Sequence, residues 1–453
     1  MSVSVINPTT GATLGTSPEL SAPAREAILN DAVAAFPGWK ALTFAERGDV
    51  LRAVAQRMRD DVETLAPLMT LEMGKPIKEA RAEVLKAALC ADHYAEHAQA
   101  YLQAETLPSD ASHSYVQHLP LGTVLGILPW NAPFWLAFRF CAPALMAGNT
   151  CVMKHDPHVP ACAKAIAELF DAVGAPAGIM QNMPMANADV EAVIRDTRIQ
   201  AVSLTGSERA GSAVAAIAGS EIKPVVLELG GSDPAIVLAD ADLQKAAETL
   251  ALSRIINAGQ SCIAAKRIIV EASVHDEFVS LLEPLLEKLK QGDPREDTTD
   301  VGPLAREDLR QNLHRQVMES VVAGAKCRLG GELPKGPGFF YPVTLLTDVT
   351  NDMTCAREET FGPVAVVLKA DDEAHAIRMA NDSLYGLAAG VWTERSRGER
   401  IAHQLQVGQV AVNGIVKTDP RLPSGGIKRS GLGRELGPHG IREFVNHQQV
   451  WLG

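Results

Sequence analysis

The stretch "NAGQSCIAAKR", residues 257–267, sets one cysteine, Cys262, among small and polar side chains. A thiolate is a nucleophile when it is reachable and sits in an electropositive or donor-rich setting. The backbone amide of Cys262 could donate to an oxyanion. A free cysteine is more often a small buried hydrophobe, so this residue alone reads either way. In "VVLELGGSDPAIVL", Glu228 interrupts an apolar strand just before Gly230 and Gly231. A carboxylate is expensive to bury unless paired or protonated. Glu228 therefore reads as a solvent-facing strand end or as a general base with a raised pKa. Asn131 in "ILPWNAPFW" is either a helix cap or an amide donor to an oxyanion. In "LTGSERAG", residues 204–211, a strand ends, Gly206-Ser207 turns and a helix starts. Amides at a helix N-terminus suit a pyrophosphate. The spacing of Gly206 and Gly211 is not Gly-x-Gly-x-x-Gly, and such a lone pattern recurs by chance.

Positioning these groups requires strand ends. The first hundred residues read as helices after a short strand-like start, with apolar residues near a 3.6 period. From "GTVLGILPWN" onward the pattern alternates. The strands are "TCVMKH", "GIMQNMP", "IQAVSLTG" and "KPVVLELGG". Between them run helices such as "FWLAFRFCAPALMAGN", "PACAKAIAELFDAVGA" and "SERAGSAVAAIAG". Such alternation predicts parallel β-α-β units, whose ligands bind beyond the carboxyl ends of the strands. A second α/β run starts near "PAIVLADADLQKAAETLALSRIINAGQ", and "EFVNHQQVWL" reads as an extended arm.

A chain of 453 residues predicts two or three domains. Its net charge of -12 and scattered basic residues argue against nucleic-acid and acidic-membrane partners. No basic-then-apolar leader is legible and no apolar run is long enough to span a bilayer, so the expected location is the cytoplasm. The seven cysteines form no Cys-x-x-Cys and no zinc-finger spacing, so neither a metal site nor a disulfide framework is expected.

Taken together, "PWN", "LTGS", "LELGG", "NAGQSC", "EETFGPV" and "SGGIKRSGLGRE" resemble the aldehyde dehydrogenase superfamily in order and rough spacing. Glu228 and Cys262 are 34 residues apart (262 − 228), as in that family. Within it, "MKH" and "ELGGSDP" look most like short bacterial succinate-semialdehyde dehydrogenases. The resemblance implies that Cys262 attacks the aldehyde as nucleophile and that Asn131 and the Cys262 amide hold the oxyanion. Hydride passes to NADP or NAD, and Glu228 activates water against the thioester. It also implies cofactor contacts from Trp130, Lys154, Gly206, Ser207, Glu359 and Phe361.

The sequence departs from the family in two places. Pro157 in "KHDP" stands where many NAD-using relatives carry a glutamate, which removes a ribose partner and a group that would repel a 2′-phosphate. NADP or dual use is therefore expected. Arg139 occupies a position that binds carboxylates in related semialdehyde enzymes, but Ile256 replaces a second such arginine. The expected substrate set is Arg139, Trp135 and Arg421, with Arg421 or Lys417 standing in for the missing second arginine, and a structural salt bridge is the competing reading of Arg139.

The expected fold is α/β, with two parallel-sheet domains and a small β arm. Residues 1–100 and 119–230 form the dinucleotide domain, 231–425 the catalytic domain, and 101–118 with 430–453 the oligomerisation arm. The expected partners are a small aldehyde, most specifically succinate semialdehyde, and further copies of the chain in a homodimer or homotetramer. Alternatives are a broad-specificity short-chain or hydroxy-aldehyde dehydrogenase, CoA-dependent acylation, which Glu228 disfavours, and a non-catalytic protein that keeps the fold.

Overall fold

A computed structural model describes residues 3–453. Four helices lead the chain after a small hairpin: Ala22–Ala41, Phe44–Asp60, Val62–Met73 and Ile77–Tyr101. The helix starts follow from local chemistry. Ser21 caps the first helix, and Thr43 with Glu46 forms a reciprocal capping box on the second.

The strands expected from the alternating pattern assemble into a six-stranded sheet. Its order is Gly431–Leu432, Val225–Glu228, Ile199–Thr205, Thr123–Leu128, Thr150–His155, Met180–Asn182. The inner strands are parallel and in register, with Leu128 opposite His155 and Thr205 opposite Glu228. From Thr123–Leu128 the chain first builds outward on one side, then returns to build on the other. That reversal opens a crevice at the carboxyl ends. Trp130, Asn131, Lys154, Gly206, Ser207 and Glu228 all lie at or just past these ends.

A seven-stranded sheet runs Lys326–Leu329, Thr344–Val349, Val364–Ala370, Arg267–Glu271, Pro234–Val237, Ala388–Trp392, Gln409–Val412. It is parallel except for its first edge pair. Continuous apolar runs such as "VAVVLKA" fit a sheet covered on both faces. Cys262 lies between helix Leu243–Ile255 and strand Arg267–Glu271.

A three-stranded antiparallel arm joins Val445–Leu452, His113–Pro120 and Glu105–Thr106. The expected arm began at residue 430. Instead Gly431–Leu432 pairs antiparallel with Leu227 and Glu228 in the six-stranded sheet, because only the last strand has the length to pair along the arm. Among the described residues no helix is long and apolar enough to cross a membrane, and no cluster of three or more His, Cys, Asp or Glu could hold a metal ion.

Candidate active site

The segment carrying Cys262 is held in an unusual backbone conformation. Asn257, Ala258 and Gly259 take φ of 55°, 53° and 75° in succession. A left-handed alanine is disfavoured by about 1–2 kcal/mol, so surrounding contacts must enforce it. The Asn257 amide donates to Glu79 at 2.7 Å and its side chain to the Asn131 carbonyl at 2.8 Å. Arg254 donates to the Gly259 carbonyl at 2.7 Å, and Gln260 accepts from the Ala305 amide at 2.9 Å. Gly259 is obligatory for a second reason: a Cβ there would lie 2.2 Å from the Gly362 carbonyl oxygen.

This turn delivers Cys262 half-buried at its exit. Burial pushes its thiol up to about 11, while Lys266 and Arg139 pull it down. Lys266 is wholly buried, and its ammonium donates to the carbonyls of Ser261 at 2.9 Å and Cys262 at 2.6 Å. Glu359 and Glu228 act in the same sense as burial, so the two cations only partly offset the upward shift.

Asn131 approaches from the other sheet. Its Nδ2 donates to the Gln260 carbonyl at 3.1 Å, two residues from Cys262. An amide nitrogen carries two protons, so a second donor remains for an oxyanion. Lys75 donates to the Asn131 carbonyl at 2.9 Å and also pairs with Glu83. Glu83 in turn accepts from the amides of Phe134 at 3.0 Å and Trp135 at 3.2 Å, capping helix Pro133–Met146.

Glu228 is buried at the end of its strand and is pushed up to about 7. Desolvation dominates that shift; Arg139 opposes it and Glu435 adds to it. Its Oε2 accepts from Arg139 at 3.1 Å, whereas Oε1 has no hydrogen-bond partner among the described residues. A buried carboxylate titrating near neutrality with a free oxygen has the properties of a general base.

Over residues 1–450 the sequence matches the aldehyde dehydrogenase family. The chain belongs to that family. It is 48% identical over 453 residues, covering 100% of both chains, to a Synechocystis sp. protein named probable succinate-semialdehyde dehydrogenase (NADP+). A Mycobacterium ulcerans succinate-semialdehyde dehydrogenase (NADP+) is 46% identical over 460 residues, again covering 100% of both. Among solved structures, succinic semialdehyde dehydrogenase from Streptococcus pyogenes in complex with NADP+ superposes with TM-score 0.97 at 35% identity, covering 99% of each chain. Lactaldehyde dehydrogenase from Escherichia coli gives 0.96 at 34%, covering 100% of this chain and 96% of that one.

In this aldehyde dehydrogenase the residues expected at the cofactor sit at strand ends of the six-stranded sheet or in the loop before strand Val364–Ala370. Trp130 packs edge-on against Phe361, ring centroids 5.8 Å apart. Ser207 caps helix Glu208–Ser220 by accepting from the Ala210 amide at 3.3 Å, and the Gly206 amide donates to the Glu228 carbonyl at 2.9 Å. Glu359 accepts from the Gly231 amide at 3.0 Å and pairs with Lys266 at 3.3 Å. Its carboxylate lies so close that a Cβ on Gly230 would sit 2.3 Å from Oε2, while a Cβ on Gly231 would sit 2.8 Å from Asp233 Oδ1. Lys154 is buried and donates to the Asn187 amide oxygen at 2.8 Å, with no carboxylate in salt-bridge contact among the described residues. Pro157 lines a cavity of about 670 Å³ together with His155 and Asp156. The Asp156 carboxylate turns to His158, accepting from its backbone amide at 2.9 Å and contacting its Nδ1 at 2.7 Å.

Of the expected substrate residues, Arg139 and Arg421 are engaged by carboxylates of the protein itself. Arg139 does not line an open tunnel. It is 3% exposed, and its guanidinium bridges Glu228 at 3.1 Å and Glu435 at 2.5 Å. Helix Pro133–Met146 is buried on every side, so a charged residue there needs an opposite charge nearby, and two carboxylates supply it. Arg421 is also engaged elsewhere: Asp419 holds its exposed side chain at 2.6–2.8 Å. Lys417 is exposed. Trp135 is buried beneath Lys86, whose ammonium lies 4.0 Å from the indole centroid.

Sequence reasoning missed Lys75, Glu79, Glu83, Lys266 and Glu435. A signal existed for Glu83: it falls on the inward face of helix Ile77–Tyr101 with Ala80, Val84 and Ala87. For Glu435 there was none, because its partner is 296 residues away in the chain (435 − 139).

Proposed function

We propose that the protein oxidises succinate semialdehyde to the carboxylic acid, with NADP preferred over NAD. The observation that carries the reading is the convergence of Cys262, Asn131 and a near-neutral Glu228 on one crevice in a chain alike, over its full length, to proteins bearing that name.

Cys262 attacks the aldehyde carbon as its thiolate, the thiol proton passing to water, which leaves Glu228 unprotonated for the later step. The new oxyanion meets the free proton of the Asn131 amide and the backbone N–H of Cys262. Bound NADP supplies the hydride acceptor. Glu228 then uses Oε1 to draw a proton from water, which attacks the thioester and frees the thiol. Lys154 favours NADP because it is a buried cation lacking a carboxylate, and a 2′-phosphate restores the missing charge. Pro157 adds no opposing charge. Glu359 and Phe361 orient the nicotinamide side. Ser207 and Gly206 present the helix N-terminus to the pyrophosphate.

The arm supports a homodimer or a dimer of dimers. Strand Val445–Leu452 has one edge paired and Trp451 and Leu452 exposed at 51% and 47%, features that favour pairing with a second copy. The reading places the enzyme in the cytoplasm.

Initial rates on succinate semialdehyde, butanal and a hydroxy-aldehyde, each with NADP and NAD, test the assignment. The expected result is kcat/KM at least about tenfold higher for succinate semialdehyde than for butanal, since a charge-assisted contact contributes about 1.5–3 kcal/mol. Equal rates on all three would replace it with the broad-specificity reading, which Ile256 in place of a second arginine favours.

A further inference from the structure

With Arg139 committed to two carboxylates, the site needs another cation for the substrate's distal end. We propose that Lys86 binds the distal carboxylate of the aldehyde substrate, between the Trp135 ring and Thr418. This deepens the succinate semialdehyde reading and rests on it.

Three walls meet at Lys86. The lysine projects from helix Ile77–Tyr101. Its ammonium lies 4.0 Å above the Trp135 ring on helix Pro133–Met146 and donates to Thr418 Oγ1 at 2.9 Å on the loop after strand Gln409–Val412. That loop also meets the residue after the nucleophile: Ile415 and Val416 line a small cavity with Ile263. Trp135 lies four residues beyond Asn131, on the same helix as Arg139, which is in electrostatic range of both Lys86 and Cys262. Helix Pro133–Met146 and this loop thus each meet the ammonium at one point and the backbone next to the reacting thiol, or its sequence neighbour, at another.

The ammonium has no ion pair of its own among the described residues. Glu83 is the nearest acid on the same helix, but it is bound to Lys75 and to the helix cap. Asp419, across the loop, is bound to Arg421. A hydroxyl and an aromatic face are poor substitutes for water around a cation. Burial and Arg139 accordingly pull Lys86 down to about 8, with Glu83 and Asp419 acting in the opposite sense. A substrate carboxylate supplies the missing charge, and two methylenes connect it to the aldehyde carbon at Cys262. Trp135 would pack against those methylenes.

The experiment compares kcat/KM for succinate semialdehyde with that for butanal in the wild type, Lys86→Met and Lys86→Arg, with thermal melting as the check on folding. In Lys86→Met the preference for the carboxylated aldehyde should fall about tenfold or more, chiefly through KM. Lys86→Arg should recover most of it. A preference unchanged in Lys86→Met overturns the assignment, as does an equal loss on both aldehydes. A wild type with no preference would instead overturn the substrate reading itself, and the anchor with it.

Discussion

Replacing Arg139 with glutamine separates two roles that its position could serve. In the structure the arginine acts on the base: it donates to Glu228 at 3.1 Å and faces Glu435 at 2.5 Å, all three buried. A charge-assisted hydrogen bond to a buried carboxylate is worth about 1.5–3 kcal/mol. At 1.36 kcal/mol per pK unit, its loss raises Glu228 by about one to two units. The sign is fixed, because Arg139 favours the ionised form and Glu435 opposes it. Glu228 would then titrate near about 8–9 instead of about 7, and its ionised fraction at neutral pH would fall about five- to fiftyfold. The assay is the pH dependence of steady-state kcat, with the pre-steady-state burst of reduced cofactor read alongside. The acid limb should move to higher pH in Arg139→Gln. In Glu435→Gln it should move the opposite way, since that variant removes a like charge and keeps the shape. Breaking a buried pair can cost about 3–5 kcal/mol of stability, so the opposite shift in Glu435→Gln keeps the test decisive if Arg139→Gln folds poorly. An acid limb that stays fixed in both variants, with KM rising only for carboxylated aldehydes in Arg139→Gln, would refute this reasoning and return Arg139 to the substrate.

Cys262→Ala is expected to lose aldehyde oxidation and the burst together, whereas Glu228→Gln should keep a single burst and lose turnover; stopped-flow absorbance separates them. Pro157→Glu should shift the ratio of kcat/KM from NADP toward NAD by about tenfold or more, through repulsion between the new carboxylate and the 2′-phosphate, measured with both cofactors. Trp451→Asp on the exposed arm should shift the oligomer toward smaller species in light scattering; an unchanged mass would place the interface elsewhere.

The elements that locate the site were legible because their signals are local. The strand ahead of Asn131, the turn at Ser207 and the helix before Cys262 stand where the patterning put them. Glu228 was legible as a charge interrupting an apolar strand. Arg139 shows the limit. Spacing from Asn131 placed it on the right helix, but that helix is buried on all faces, so no apolar stripe tells which neighbour a side chain meets. The answer lay at Glu435, brought in by the segment whose Gly431–Leu432 strand pairs beside Glu228. The same segment carries residues 431–432, expected in the arm, beside the six-stranded sheet. A two-residue strand carries too little pattern to be read without its partner.

The distribution of cations around the crevice links these observations. Lys75 is held by Glu83 and the Asn131 carbonyl, so it fixes the amide that faces the oxyanion. Lys266 is held by two carbonyls and Glu359, so it ties the nucleophile's backbone to the carboxylate beside Gly230. Arg139 is held by Glu228 and Glu435, so it sets the pH at which the base works. Each of these charges is neutralised by the protein before any substrate arrives. Lys154 and Lys86 are different: both are largely withdrawn from water, both have lowered pKa values through burial, and each has only an uncharged side-chain oxygen as hydrogen-bond partner. Leaving a cation in that state costs stability, and an anionic ligand offsets the cost when it binds. Two such cations, one on the cofactor side and one beyond the thiol, match a reaction whose two reactants each bring an extra negative charge: a 2′-phosphate and a distal carboxylate. A reaction of NAD with an uncharged aldehyde would leave both unanswered.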